Sequence, residues 1–234
     1  MKMKKILAIA LILLLSITVI FALSSCSEQE LQYKNPYEFD FFPLDDGTYA
    51  VAVGEAKYLS NIVIPSTYKG KPVTIICDEA FKDCTNLKSI TIPDSVTSIG
   101  NYAFRNCESL TSVTIPDSVT SIGEHAFSDC ISLTNIIIGD SVTSIGTYAF
   151  KDCTGLTSVT IGDSVTSIGS QAFYSCSSLT SVYYKGDAAE WSAISIGSWN
   201  SSLINATRYY YSEEAPTEEG NYWHYDADGK VAVW

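Results

Sequence analysis

Apolar and polar positions in the middle of the chain repeat on two scales. Phe81, Phe104, Phe127, Phe150 and Phe173 fall 23 residues apart; Cys84, Cys107, Cys130, Cys153 and Cys176 keep that interval, as do Leu87, Leu110, Leu133, Leu156 and Leu179. Inside each unit, Leu-x-x-Val-x-Ile alternates at period two, which sends Val113 and Ile115 to one side of an extended segment and Ser112 and Thr114 to the other. The hexapeptide Ser-Val-Thr-Ser-Ile-Gly recurs from Ser95, Ser118, Ser141 and Ser164. Leu110, Val113, Ile115, Val119, Ile122, Ala126 and Phe127 make up the apolar lining of one unit. A coil of that size cannot close its own core; stacking on neighbours at about 4.8 Å adds backbone ladders and seals each apolar layer. The pattern therefore predicts a mainly β repeat solenoid. Gly100, Gly123, Gly146 and Gly169 are expected to close a turn at positive φ, where glycine meets no steric penalty. Cys77 stands in the same column, so the turn of the first layer is expected to differ.

The flanks follow other rules. Residues 1–5 are basic, and residues 6–23 form an 18-residue apolar run broken only by Ser16 and Thr18. That length reaches across a bilayer as a helix, so a retained anchor and a cleaved export signal both fit it. Leu23-Ser24-Ser25-Cys26 resembles the bacterial lipobox, whose cysteine is acylated before cleavage on its N-terminal side. Residues 1–25 are accordingly expected to be a lipoprotein signal peptide, with Cys26 the lipid attachment site. Residues 26–43 lack periodicity and are expected to form a tether, its aromatics Tyr37, Phe39, Phe41 and Phe42 able to lie against the first folded layer. Residues 44–80 hold an alternating strand, entered through Asp45-Asp46-Gly47, and a divergent first repeat; residues 81–186 are the solenoid proper. In residues 187–234, Asp187 and Glu190 have capping-box spacing ahead of a short helix with Trp191 and Ile194 on one side. A strand at 207–211 and an aromatic hairpin around Asp226-Ala227-Asp228-Gly229 complete the cap and tail.

A period in the range of 20 to 29 residues with this core is the signature of leucine-rich repeats. The unit Ala-Phe-x-x-Cys-x-x-Leu-x-x-Val-x-Ile-Pro/Gly-Asp-Ser-Val-Thr-Ser-Ile-Gly resembles that of the BspA-like (Treponema-type) leucine-rich repeat family of bacterial surface proteins. The five units from Phe81 to Tyr184 carry the match, and residues 61–65 and 71–80 resemble the family's divergent first layer. The resemblance implies a leucine-rich repeat solenoid that is exported, displayed at the cell surface and engaged in adhesion to host proteins or other cells.

Charge narrows the partners. Asp and Glu number 26 against 14 Lys and Arg, a net charge of -12, and removal of Lys2, Lys4 and Lys5 with a signal peptide makes the balance more acidic still. Such a chain repels phosphate backbones and anionic lipid surfaces, so no nucleic-acid partner is expected, and the membrane is reached through lipid on Cys26. Charged residues make up 17% of the chain, below the roughly 25% usual for soluble proteins, and the 46% hydrophobic content excludes a disordered or collagen-like polymer.

The cysteine column admits disulfides or a metal, but parallel Cβ vectors one layer apart exceed the usual disulfide span of roughly 3.5–4.5 Å and no Cys-x₂-Cys pair exists. Buried small thiols are the expected reading. Asp94, Asp117, Asp140 and Asp163 offer one carboxylate per layer, too few for Ca²⁺, and suit Asx-turns in their own loops. His125, aligned with Tyr102 and Tyr148, and His224, in an aromatic strand, have no motif-bound partner, so neither catalysis nor a cofactor is expected. The outward strand positions remain. Thr111, Thr134, Thr157 and Thr180 form one file; Ser112, Asn135, Ser158 and Ser181 the next; Thr91, Thr114, Ile137, Thr160 and Tyr183 a third. Short hydroxyl side chains on a rigid sheet lose little entropy on binding. This face is expected to contact an extracellular protein or glycan, with Tyr183, Tyr184, Trp223 and Tyr225 as aromatic anchors; hydroxyls serving only as soluble strand formers, in a structural surface component without specific ligand, are the alternative. Ice binding suits threonine files on a solenoid, but Ile137 and Tyr183 interrupt the third.

Overall fold

The computed structural model describes residues 39–217 and 219–234. The expected signal peptide, Cys26 and the tether up to residue 38 lie outside them. The described chain begins with β1 (Asp40–Pro43), antiparallel to β2 (Tyr49–Ala52); a 3-10 helix (Gly54–Tyr58), β3 (Asn61–Val63), β4 (Thr67–Tyr68) and β5 (Lys71–Ile76) complete a divergent first coil. Each following coil supplies a longer strand and a short one: β6 (Ser89–Thr91) and β7 (Ser98–Ile99), β8 (Ser112–Ile115) and β9 (Ser121–Ile122), β10 (Asn135–Ile138) and β11 (Ser144–Ile145), β12 (Ser158–Ile161) and β13 (Ser167–Ile168). In the last coil, α1 (Ala188–Ala193) lies between β14 (Ser181–Tyr184) and β15 (Ser195–Ile196); α2 (Ser201–Asn205), β16 (Thr207–Tyr211), β17 (Tyr222–Tyr225) and β18 (Val231–Val233) end the chain.

Stacking sorts these strands, among the described residues, into two nine-stranded sheets. One runs β18-β17-β16-β14-β12-β10-β8-β6-β3; the other runs β1-β2-β5-β7-β9-β11-β13-β15, with β4 on β5. Register follows the sequence period, so Ile136 lies beside Val113 on one side and Val159 on the other. Equivalent residues thus stack on themselves. Phe81, Phe104, Phe127, Phe150 and Phe173 are fully buried, and successive rings stack with centroids 5.1, 4.9, 5.4 and 5.0 Å apart. Their loops are laddered too: the amide of Phe81 donates to Ala103 O, and that of Phe104 to Ala126 O, each at 2.7 Å. The mainly β solenoid of leucine-rich coils read from the sequence is the fold observed.

Three expectations need correction: the end of the tether, the role of the repeat glycines, and the turn of the first layer, where Glu79 (φ 57°), two residues after Cys77, keeps the left-handed backbone of the later coils. Residues 40–43 are not tether but strand, because Phe39 and Phe41 fasten the segment to the first coil: Phe39 is buried against Phe81 and Phe41 stacks on Tyr68 at 4.0 Å. The repeat glycines are required by close approach and not by positive φ. A Cβ on Gly123 would sit 2.6 Å from the carbonyl carbon of Gly100, and one on Gly146 equally close to Gly123. The left-handed backbone falls two residues later, on Tyr102 (φ 57°), His125 (53°), Tyr148 (59°) and Gln171 (58°). Amide bonds to the next coil hold it there, as from Tyr102 to Glu124 O at 2.8 Å.

The C-terminal end is closed as the spacing predicts. Asp187 caps α1 by accepting from the Glu190 amide at 2.8 Å, while the Glu190 carboxylate accepts from the Asp187 amide at 2.9 Å. Trp191 is buried beneath the Arg208 guanidinium, 4.2 Å from its ring centre. No helix among the described residues is long and apolar enough to cross a membrane.

Candidate binding face

The outward files are three different environments. In the first, Thr111, Thr134, Thr157 and Thr180 are exposed, yet each hydroxyl donates to a backbone carbonyl one coil back: Lys88 at 3.2 Å, Thr111 at 3.0 Å, Thr134 at 2.9 Å and Thr157 at 3.3 Å. Those hydroxyls extend the ladder and offer a partner only their remaining lone pairs. In the second file Ser112 and Asn135 are exposed, whereas Ser158 and Ser181 are half-buried. In the third, Thr91 and Thr114 are exposed and Ile137 and Tyr183 half-buried, but Thr160 is only 3% exposed. Thr160 is therefore not an outward contact residue.

The C-terminal tail is the cause. Trp223 and Tyr225 project from the same side of β17, and that side folds back onto the outward face of β14 and β12. Trp223 is completely buried, its ring 5.8 Å from Tyr183 and its Nε1 donating to Tyr184 O at 2.9 Å. Tyr184 points inward, 1% exposed and edge-on to Trp191. Trp223 and Tyr184 are thus packing residues and not surface anchors; Tyr183 and Tyr225 keep partial exposure. The hairpin tip is ordered by Asp226, whose carboxylate accepts from the amides of Asp228 and Lys230, and by Gly229 at φ 72°.

Where the tip overhangs the sheet it leaves a groove of about 650 Å³, with Thr91, Thr114 and Ile137 on the floor and Tyr225, Gly229 and Lys185 on the far wall. A second hollow of about 370 Å³ lies over Thr160, and the two share Ile137, Tyr225 and Gly229. Lys185 is absent from the residues singled out by sequence. Its ammonium lies 2.7 Å from Asp140 and 5.6 Å from the centre of the Tyr225 ring. Burial works against the Lys185 charge, but the bond to Asp140 together with the negative charges of Asp140 and Asp117 and the Tyr225 hydroxyl outweighs it and holds the pKa above its ordinary value. The available signal was the break in the third file: Ile137 and Tyr183, where threonine is the rule, mark outward positions that another segment covers.

The remaining columns are structural. Cys107, Cys130, Cys153 and Cys176 are buried free thiols, each donating Sγ–H to the phenylalanine carbonyl of the coil before, at 3.1 to 3.2 Å. Burial pushes the Cys84 and Cys176 thiols up to about 12 and raises those of Cys130 and Cys153, while the Cys107 thiol is raised first by its interaction with Cys130 and then by burial. Asp117 bridges coils instead of serving only its own turn, accepting from the Asp140 amide at 2.8 Å, and Asp140 pairs with Lys185, whereas Asp163 accepts from the neighbouring Ser164 hydroxyl. Among the described residues no group of three His, Cys, Asp or Glu could hold a metal ion. His125 lies between Tyr102 and Tyr148, ring centres 4.9 and 4.5 Å away, and burial lowers its pKa. His224 stacks on Trp234 at 3.9 Å.

These features define a class, a leucine-rich repeat solenoid whose outward sheet face is partly covered by its own C-terminal hairpin. Within that class the chain belongs to the BspA type leucine-rich repeat family, whose model matches residues 74–195 in six copies. The crystal structure of a leucine-rich repeat protein from Treponema pallidum is 33% identical, with a TM-score of 0.61 over 64% of this chain and 70% of that one. A leucine-rich repeat protein from Eubacterium ventriosum (21% identity, TM-score 0.56, 84% of this chain and 55% of that one) shares the fold. So does the pneumococcal vaccine antigen PcpA (19%, TM-score 0.55, 77% and 44%). None of the curated proteins matches the chain.

Proposed function

We propose that the protein is an exported surface lipoprotein, anchored through Cys26, that uses the outward strand face of its solenoid to bind or adhere to an extracellular macromolecule. The observation that carries this reading is the uncovered part of that face: Thr91, Ser112, Thr114 and Asn135 stand exposed on a sheet whose strands are locked in register, so little order has to be imposed on binding. Family membership supports the same reading, since leucine-rich repeats build extended surfaces for contact. The acid excess argues against nucleic acid and against direct adsorption to anionic lipid. The tie between the first-file hydroxyls and the backbone favours the alternative of a ligand-free structural component for that file alone. A screen of immobilised matrix proteins and glycans against the purified chain tests the proposal. Saturable binding, abolished by Ser112→Lys with Thr114→Lys, is the expected result; absence of saturable binding across the screen supports the structural alternative.

A further inference from the structure

Narrowing the proposed adhesion role to one ligand chemistry, and resting on it, we infer that the groove beneath the hairpin tip is a binding site for a short stretch of uncharged glycan. The groove is a concavity of the size that small ligands occupy, about 650 Å³ against a usual range of roughly 300–1,000 Å³. It is made where the face of β6 to β10 and the tail meet once, and is not a feature repeated with every coil.

Its walls select the ligand. A peptide that binds by adding a strand needs a free sheet edge, but the floor here is a sheet face, and β8 is paired on both sides, to β6 and β10. What the floor offers is hydroxyls, on Thr91, Ser112 and Thr114, and these both donate and accept, as sugar hydroxyls do. Asp94 and Asp117 line the groove as exposed carboxylates, which accept strong charge-assisted bonds from hydroxyl donors. Tyr225 supplies an aromatic wall, and aromatic rings suit the C–H groups of a pyranose. Among the described residues, the one cation in the lining, Lys185, is already paired with Asp140. The groove therefore carries uncompensated negative charge in a chain of net charge -12, and it repels uronate, sialate and sulfate groups.

The test is binding of the purified protein to an array of neutral oligosaccharides built from glucose, mannose, galactose and N-acetylhexosamines, beside sialylated, sulfated and uronate-containing ones. Hits are then titrated in solution with wild type, Thr114→Lys, Tyr225→Ala and the opposite-sheet control Thr143→Lys. We expect at least one neutral oligosaccharide to bind, acidic ones not to bind, and Kd to rise tenfold or more in both groove variants while Thr143→Lys stays within twofold of wild type. Because Tyr225→Ala can loosen the hairpin, Thr114→Lys, at an exposed position, decides the matter. No neutral ligand on the array, preference for acidic glycans, or an unchanged Kd in Thr114→Lys overturns the inference. If a protein partner is lost in Thr114→Lys while no glycan binds, this inference falls and the adhesion proposal stands. If glycan binding is lost in Thr114→Lys while adhesion is unchanged, the reverse holds.

Discussion

A buried thiol costs a repeat little and serves it in two ways. The sulfur fills space between the phenylalanine and leucine columns, and its proton satisfies a carbonyl of the coil before, which keeps the column protonated and reduced. Cys107, Cys130 and Cys153 are therefore expected to resist a thiol reagent until the protein is denatured, with half-buried Cys77 labelling first among the described cysteines. Cys130→Ala should cost about 1 kcal/mol in urea unfolding, the effect of a small cavity. Protonated thiols also set an alkaline limit. Unfolded cysteines ionise near 9 while Cys84 and Cys176 hold their protons to about 12, so the native state binds more protons across that interval and stability falls as pH rises through it. Denaturation midpoints measured between pH 8 and 11 should decline, and a rising midpoint contradicts this. Glycine carries a harsher constraint: with backbone 2.6 Å from its Cβ position, Gly123→Ala must push adjacent coils apart, at a cost of about 3 kcal/mol in the same assay.

Among the elements, the hairpin of β17 and β18 departs from the repeat, and its hold depends on Trp223. Trp223→Ala removes a fully buried ring and the bond to Tyr184 O, and should cost about 3 kcal/mol or more. Hydrogen exchange should show the loss confined to residues 207–233, with β8 and β10 unchanged; uniform loosening of the solenoid contradicts the placement of the hairpin as a separate cover. The contrast between repeat and hairpin also explains what the sequence discloses. A column such as Phe81 to Phe173 states its environment five times, so the coil, its lining and its period are legible, and so is the capping box at Asp187. The cover over Thr160 rests on contacts made once, Trp223 with Tyr183 and Lys185 with Asp140, and its one trace in the repeat is the break of the third file at Ile137 and Tyr183. Gly123 was legible as indispensable but not for its reason, because spacing does not distinguish a left-handed turn from two backbones in contact.

At the scale of the whole molecule, an acidic repeat scaffold leaves a face open on the side of the stack away from its C-terminal cover, and the proposed function adds a lipid at Cys26. The anchor is tested by fractionation: wild type should partition into detergent and Cys26→Ser should appear in the aqueous phase or as uncleaved precursor, while an unmodified Cys26 in the mass spectrum of wild type contradicts it. The central claim, that contact is made through one face, is tested most directly by comparing two lysine pairs in one adhesion assay. Ser112→Lys with Thr114→Lys alters the open region of the long sheet, and Thr120→Lys with Thr143→Lys alters exposed positions beside the short strands β9 and β11. All four are surface positions, and the control pair loses only the exposed bonds of Thr120 to Thr97 O and Thr143 to Thr120 O, so both pairs should unfold close to wild type. The account predicts that the first pair lowers adhesion tenfold or more and the second leaves it intact; equal adhesion in the two variants contradicts it.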